Sequence, residues 1–308
     1  MSTLEKSVLI VTGKGGTGKT TVTAALGMAL AMTGHRTLLV ECNGTRVIGP
    51  LLGAAESTYT PQKVAPNLHA MTITSEEAIE DFIIKQIKVR ALYSMVFKNR
   101  IMGPFMDAVP GLHDAVHLGK VYGLVEDDFT DGRPTWDRVV VDAPATGHGL
   151  HILNAPKAMM DLTRRGPIFA NSKLVHDLTS DRSRTGIVMT CLPEAMPVSE
   201  SLELNAALTQ SGYGVAAVVL NEMVSTDLPS PPDQRALKAA LPPEQRVNAD
   251  ALLSRFDARD THQRAAHEAL SNAIDAPVVH LPLLFDRPLH QASIERLASH
   301  LLRELESM

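Results

Sequence analysis

Cysteine, aromatic residues and long apolar runs are scarce in this sequence of 308 residues. The two cysteines, Cys42 and Cys191, are too few and too far apart for a disulfide framework or a thiolate zinc site. Aromatic residues make up only 4%, which disfavours a surface that stacks nucleic-acid bases. Because no run of about 18 apolar residues occurs, no transmembrane helix is expected. The first residues, MSTLEKSVLIVTGKGG, do not follow the pattern of a secretory signal peptide.

Strong charge of either sign is also lacking, since the formal net charge is −5. A broadly cationic nucleic-acid binder is therefore disfavoured, and no nucleic-acid partner is expected. Hydrophobic residues make up 44% and charged residues 20%, which is ordinary for a globular chain and excludes wholesale disorder. These features predict a soluble, cytoplasmic protein without an integral membrane segment.

Short apolar runs that alternate with helical patterns predict the architecture. The first run, SVLIVT at 7–12, is followed by a glycine-rich loop, a helical pattern over 19–32 and a second run at 37–41. This order is that of a βαβ unit, whose two strands are parallel and buried on both faces. Similar runs follow at 138–142, 186–192, 215–221 and 277–281. We therefore predict an α/β fold with a doubly wound, mainly parallel sheet.

The regular alternation of strands and helices is interrupted after the second run. Residues 67–72 are compatible with one more strand, and Thr74 and Glu77 then have the spacing of a capping box that opens a helix. Prolines break the later helical patterns into short pieces. We expect one domain over 1–308, with an inserted helical subdomain at about 74–135 and 150–181.

Residues 13–20, GKGGTGKT, match the phosphate-binding pattern G-x-x-x-x-G-K-[ST]. Glycines let backbone N–H groups surround a polyphosphate, and the following helix directs its positive end at it. Lys19 is expected to reach the β- and γ-phosphates of ATP, and the Thr20 hydroxyl a Mg²⁺ ion. The position between a predicted strand and a predicted helix favours this interpretation over a structural glycine turn. The expected nucleotide contacts are Gly13, Gly15, Gly16, Thr17, Gly18, Lys19, Thr20 and Thr21.

A second lysine, Lys14, directly follows the first glycine of this motif. It is suited to reach a nucleotide held by a second subunit, and it is also compatible with a solvated loop residue. With Lys14 the loop resembles the deviant Walker A loop of a class of dimeric P-loop ATPases. That class includes the arsenite-pump, MinD/ParA and nitrogenase-iron-protein types. The resemblance implies a P-loop NTPase fold and a dimer in which Lys14 completes the neighbouring site.

Residues 142–148, DAPATGH, discriminate among these types. Asp142 is suited to hold a magnesium-bound water, and Gly147 to donate its N–H to a γ-phosphate. The stretch resembles switch II of the arsenite-pump (ArsA) and tail-anchored-protein-targeting ATPases, and above all a bacterial branch with the same Asp-Ala-Pro-Ala-Thr-Gly-His. His148 fits that pattern or is an ordinary residue at the start of a helix.

The resemblance covers nearly the whole chain and implies further contacts with adenine. Asn221 occupies the place of an asparagine that meets adenine in relatives, although a strand-end asparagine is also typical of turns. Pro282 and Leu283 occupy the place of the loop that packs on adenine.

The segment expected to form switch I departs from the family pattern. The family usually has Ser-Thr-Asp-Pro-Ala there, and its aspartate orients or deprotonates the attacking water. In this sequence Asn43 stands in the place of that aspartate. An amide can position water but cannot take its proton. Glu41, two residues earlier, is either a replacement base or an ordinary strand-end residue.

The expected helical region is rich in methionine. Polarizable methionines suit an adaptable apolar groove, and in the family such a groove carries hydrophobic protein clients. The alternative is that these methionines fill a small helical core. They are Met95, Met102, Met106, Met159 and Met160. The C-x-x-C pair that binds zinc across the dimer in some relatives is absent from the sequence.

The sequence thus predicts an ATPase that uses Mg-ATP to close a homodimer, or a heterodimer with a related ATPase, and to reshape its helical subdomain. One alternative is a MinD/ParA-like positioning ATPase, which acts on membranes or the nucleoid. The acidic end of the last helical pattern disfavours an anionic membrane. The other alternative is a nucleotide-sensing subunit that does not hydrolyse ATP and pairs with an active relative.

If the missing carboxylate limits hydrolysis, Asn43→Asp should speed ATP turnover by up to about 10²-fold, the contribution of a general base. If Glu41 is the replacement base, Glu41→Gln should instead abolish turnover while ATP affinity is kept, and Asn43→Asp should add little. Steady-state turnover of both variants separates the two outcomes. A fast wild type that is indifferent to both changes would mean that switch I lies elsewhere.

Overall fold

The computed structural model describes residues 5–42, 44–87, 109, 111–144, 150–224 and 230–306. The elements in chain order are β1 (Val8–Gly13), α1 (Lys19–Met32), β2 (Thr37–Glu41), α2 (Ile48–Leu51), β3 (Gln62–Ala65), β4 (Leu68–Thr72), α3 (Ser75–Ile87), α4 (Leu112–Glu126), β5 (Phe129–Thr130), β6 (Arg133–Pro134), β7 (Arg138–Asp142), α5 (Leu150–Thr163), α6 (Pro167–Ser180), β8 (Thr185–Cys191), α7 (Ala195–Gln210), β9 (Val215–Met223), α8 (Pro231–Ala240), α9 (Pro243–Ala273), β10 (Val278–Pro282) and α10 (Gln291–Glu306).

Eight strands form one sheet in the order β10-β9-β8-β1-β7-β2-β4-β3. Only β3 and β4 pair antiparallel, and every other neighbouring pair is parallel. The apolar runs become strands because helices cover both faces of the sheet, so β1, β2 and β8 in its interior are buried along their whole length. The predicted doubly wound, mainly parallel α/β sheet is confirmed, including the strand expected at 67–72.

Alternate residues of β1 face two separate apolar cores. Leu9 and Val11 pack with α1 and α10, and Val8 and Ile10 pack on the opposite face with the layer formed by α4 to α7 and α9. Within α10 the predicted apolar stripe is buried, at Ile294, Leu297, Ala298 and Leu301. The sheet is therefore held between a face formed by α1, α2 and α10 and a larger helical face.

The larger face begins with the predicted capping box. The Thr74 hydroxyl lies 2.6 Å from Glu77 Oε2 and accepts the backbone N–H of Glu77 at 3.3 Å. Helices α3, α4, α5 and α6 then pack on one another. A short hairpin, β5–β6, departs from the mostly helical expectation for this region. It turns at Asp131 and Gly132, whose φ angles of 52° and 75° suit a two-residue hairpin turn. The division into a single domain and a subdomain stays a prediction.

The longest helix, α9, has 31 residues and is polar over most of its length. It follows α8, which begins at Pro231 and is capped by the Ser230 hydroxyl. None of the helices in the described ranges is long and apolar enough to cross a membrane.

Candidate nucleotide-binding site

The loop between β1 and α1 is shaped by glycines in conformations that other residues avoid. Gly13, Gly16 and Gly18 have φ angles of 149°, 84° and 87°. A Cβ atom on Gly15 or Gly16 would meet nothing within 4 Å, so the loop backbone borders open space. Gly18 also caps α1, whose first turn carries no acidic side chain. The positive end of α1 therefore faces the loop, which fits a bound polyphosphate.

Two buried polar residues support this loop from below: Thr190 on β8 and Asn221 on β9. Thr190 Oγ1 lies 2.7 Å from Thr17 Oγ1, and Asn221 Nδ2 donates to the Thr17 carbonyl at 3.0 Å. A Cβ atom on Gly18 would lie only 2.3 Å from Asn221 Nδ2. Asn221 therefore fixes the loop backbone, and its implied contact with adenine stays a prediction. Sequence reasoning missed Thr190, because a threonine near a strand end matches no motif.

Lys19 is 7% exposed and lies within the loop. Its Nζ donates to the Lys14 carbonyl at 2.9 Å. Burial lowers the pKa of the Lys19 ammonium, and the nearby Asp142 carboxylate partly opposes that shift. A cation in a poorly solvated site interacts more strongly with an anion than a solvated one does. Lys19 thus has the position and surroundings that its predicted phosphate contact requires.

The two predicted magnesium ligands are brought together. The Thr20 hydroxyl donates to Asp142 Oδ2 at 2.7 Å, and Thr23 Oγ1 lies 3.5 Å from Asp142 Oδ1. Asp142 ends β7 and is fully buried. Hydroxyl and carboxylate oxygens are ligands that Mg²⁺ prefers, so Thr20 and Asp142 fit this ion. A bound Mg²⁺ would offset the charge of the nucleotide phosphates.

The other predicted nucleotide contacts lie at the same edge of the sheet. Thr21 is partly exposed in the first turn of α1. The backbone N–H of Leu283 donates to the Met223 carbonyl at 2.8 Å, which fastens the turn after Pro282 to the end of β9. Strand β9 also carries Asn221. In open α/β sheets this carboxyl edge is where ligands bind.

Comparisons with known proteins agree with this geometry. The sequence profile described as "Anion-transporting ATPase" matches residues 6–170. ATPase BagA of Mycobacterium tuberculosis is 33% identical over 255 residues, which cover 79% of this chain and 71% of BagA. The chain belongs to the anion-transporting ATPase family.

More distant relatives extend the similarity beyond bacteria. ATPase ASNA1 homolog 1 of Paramecium tetraurelia is 22% identical over 286 residues, 81% of this chain and 83% of the relative. ATPase GET3B of Arabidopsis thaliana is 24% identical over 280 residues, 73% of this chain and 66% of the relative. The resemblance to the arsenite-pump and tail-anchored-targeting ATPases is confirmed, and proteins of this family are ATPases.

The Glu41 carboxylate is fully buried and hydrogen-bonded within its own chain. Its Oε1 accepts the backbone N–H groups of Val47 at 2.8 Å and Ile48 at 3.3 Å, and the Thr45 hydroxyl at 3.2 Å. Its Oε2 accepts the Thr72 hydroxyl at 3.2 Å. These bonds hold the turn after β2 and the start of α2. They support a structural role for Glu41, and its role as a base stays a prediction.

Three predicted switch residues cannot be placed in this geometry. Asn43, Gly147 and His148 lie outside the described residues, and their roles stay predictions. Lys14 is described, and its ammonium forms an ion pair with Glu200 of α7. Its predicted contact with a second subunit stays a prediction as well.

The two cysteines are free and buried, as expected of small core residues. Burial raises the pKa of both thiols, that of Cys191 to about 11. Across the described ranges, no three His, Cys, Asp or Glu side chains are grouped so that they could hold a metal ion.

A cavity of about 490 Å³ lies among α3, α4, α5 and α6. Its wall is mainly apolar and includes Ile79, Phe82, Val116, Met159 and Val175. Lys120 and Asp81 form an ion pair of 2.5 Å at the same wall. The cavity thus combines an apolar interior with a small polar region.

Apolar side chains are also exposed on α5 and α6, and one of them, Ile168, lines the cavity. Leu162 on α5 is 66% exposed, and Ile168 and Leu174 on α6 are 43% and 46% exposed. Among the methionines expected here, Met159 lines the cavity and Met160 is half-buried. Met95, Met102 and Met106 lie outside the described residues.

Glu41→Gln should lower the free energy of unfolding by about 1–3 kcal/mol, because an amide NH₂ would face N–H donors that now have an acceptor. Denaturant unfolding measures this loss. Glu56→Gln, which changes an exposed carboxylate of the following segment, is the control and should have little effect. A Glu41→Gln protein of wild-type stability that has lost turnover would instead identify Glu41 as the base.

Proposed function

We propose that this protein is a cytoplasmic ATPase in which Mg-ATP closes two subunits on each other and reshapes the helices around the cavity. The observation that carries this proposal is the hydrogen bond from Thr20 to Asp142. It joins the phosphate loop to the end of β7, and the chain that leaves Asp142 enters α5 at Leu150. Pro156 and Met159 of α5 line the cavity. We therefore expect a change at the nucleotide to be transmitted through Asp142 and this chain segment to the cavity wall.

A second path runs through the neighbouring strands. Thr72 of β4 donates to Glu41 of β2, and the backbone N–H of Ile73 donates to the Glu41 carbonyl at 2.9 Å. Helix α3 begins two residues later at Ser75 and carries Ile79, which lines the cavity. The segment predicted as switch I is thus linked to the part of the cavity wall that α3 forms.

We further propose that the cavity and the exposed apolar residues of α5 and α6 receive an apolar segment of a client protein. A volume of about 490 Å³ lies within the range of about 300–1,000 Å³ that is usual for ligand sites. A thioether such as that of Met159 adapts to side chains of different shape. Three exposed large apolar residues on two neighbouring helices also suit a contact surface.

Asn43 supports slow hydrolysis, because an amide cannot accept the proton of the attacking water. It also favours the second candidate function, a nucleotide-sensing subunit that forms a heterodimer with an active relative. The names of the relatives, which include ASNA1 and GET3B ATPases, support the client-carrying type over the MinD/ParA type.

Lys19→Ala should abolish ATP binding, because it removes the cation that lies inside the phosphate loop. Lys14→Ala should keep the affinity for ATP but reduce ATP-dependent dimerisation and turnover. Calorimetry with a non-hydrolysable ATP analogue and light scattering measure the two effects. Lys173→Ala, at an exposed lysine of α6, is the control. An equal loss of affinity in both loop variants would contradict a role for Lys14 across the dimer.

Gly119→Leu should fill the cavity, because Gly119 lies in its wall and a Cβ atom there would meet nothing within 4 Å. We expect the affinity for the neutral apolar dye Nile red to fall about tenfold, which corresponds to about 1.4 kcal/mol. The affinity for ATP should stay unchanged, and Gly119→Ala should have a smaller effect. Unchanged dye binding in the leucine variant would contradict an apolar binding site here.

A further inference from the structure

The topology of the sheet places helix α7 beside the phosphate loop. Strands β1 and β8 are parallel neighbours, and Gly13 is the register partner of Thr190. The chain leaves both strands at the same edge of the sheet, into the phosphate loop in one case and towards α7 in the other. Glu200 lies in the second turn of α7. Its carboxylate therefore reaches a loop that is far away in sequence.

Lys14 is held by its own subunit at both its side chain and its backbone. Its ammonium donates to Glu200 Oε1. Its carbonyl accepts two hydrogen bonds of 2.9 Å, one from Lys19 Nζ and one from the Thr17 hydroxyl. The bond to Glu200 occupies one of the three N–H donors of this ammonium and neutralises part of its charge, which opposes its contact with a nucleotide in a second subunit.

We propose that Glu200 is a positioning residue that retains Lys14 within its own subunit and so opposes closure of the dimer. This inference rests on the proposed function, in which Lys14 acts on a nucleotide bound by a second copy of the chain. A triphosphate in the loop competes with the Lys14 carbonyl for the Lys19 ammonium, which loosens the backbone that carries Lys14. Nucleotide binding and the release of Lys14 are then linked through one residue.

The size of the effect follows from the exposure of the pair. The Lys14 side chain is 47% exposed and that of Glu200 28%, so water and salt screen their attraction. Ion pairs of this kind contribute little, which corresponds to a shift of about two- to fivefold in an equilibrium. An ion pair this weak can be broken when nucleotide binds, which is required of a contact that holds Lys14 only in the nucleotide-free protein.

The test compares ATP-dependent dimerisation of the full-length wild type and Glu200→Gln by sedimentation velocity, with a non-hydrolysable ATP analogue and Mg²⁺. The nucleotide concentration for half-maximal dimerisation should fall about two- to fivefold in the variant. Nucleotide affinity of the monomer, measured at low protein concentration, should rise by no more than the same factor, because the coupling between nucleotide binding and the release of Lys14 is reciprocal. Glu203→Gln, an exposed carboxylate on the same helix, is the matched control and should behave as wild type.

Two further measurements separate this role from a structural one. Raising the salt concentration should shrink the difference between wild type and Glu200→Gln, because salt screens the ion pair of the wild type and the variant has no such pair. In a Lys14→Ala background, Glu200→Gln should have no effect on dimerisation. A shift that persists in that background would overturn the proposal.

The remaining outcomes distinguish the inference from the function on which it rests. A wild type that dimerises with nucleotide while Glu200→Gln dimerises equally or less readily would overturn the inference alone. A wild type that stays monomeric at all nucleotide concentrations would overturn both, because there would be no closure for Glu200 to oppose.

Discussion

The hydrogen bond between Thr20 and Asp142 fixes the position of the phosphate loop relative to the end of β7. Asp142 is fully buried, and a buried carboxylate without partners would cost several kcal/mol. The Thr20 hydroxyl and the nearby Lys19 ammonium reduce that cost. Because these two residues open α1, the start of that helix and the end of β7 are restricted to one arrangement. The phosphate loop and the end of β7 therefore form one structural unit.

The strand order makes this unit possible. Strand β7 lies between β1 and β2, so Asp142 is the register partner of both Val11 and Glu41. Three chain segments that are far apart in sequence then end side by side, and each continues into a loop at the same edge. The loop after β7 leads on to α5, and Glu41 of β2 is bonded to Thr72 of β4, whose chain continues into α3. Both α3 and α5 border the cavity. A βαβ unit without this central strand would lack the bond from Thr20 to Asp142, which connects the phosphate loop to the strand that leads into α5.

Much of this arrangement could be predicted from local patterns. Buried parallel strands have continuous apolar runs, so the strands at 37–41 and 138–142 were visible in the sequence, and the glycine spacing of residues 13–20 located the phosphate loop. The capping box at Thr74 needed only a spacing of three residues. Contacts between distant polar residues leave no such pattern. The support from Thr190 and the ion pair of Glu200 depend on which strands become neighbours, and that is known only from the fold.

The polar groups of the phosphate loop already have hydrogen-bond partners within the chain, so a nucleotide must replace these partners when it binds. Lys19 is bonded to the Lys14 carbonyl, Thr20 to Asp142, and Lys14 to Glu200. A nucleotide therefore exchanges existing hydrogen bonds for new ones, and its affinity is the difference between the two sets. A ligand can shift a conformational equilibrium only by its differential affinity for the two states. Two of these bonds end on other elements, that of Thr20 on β7 and that of Lys14 on α7. Their exchange therefore couples the loop to the rest of the fold.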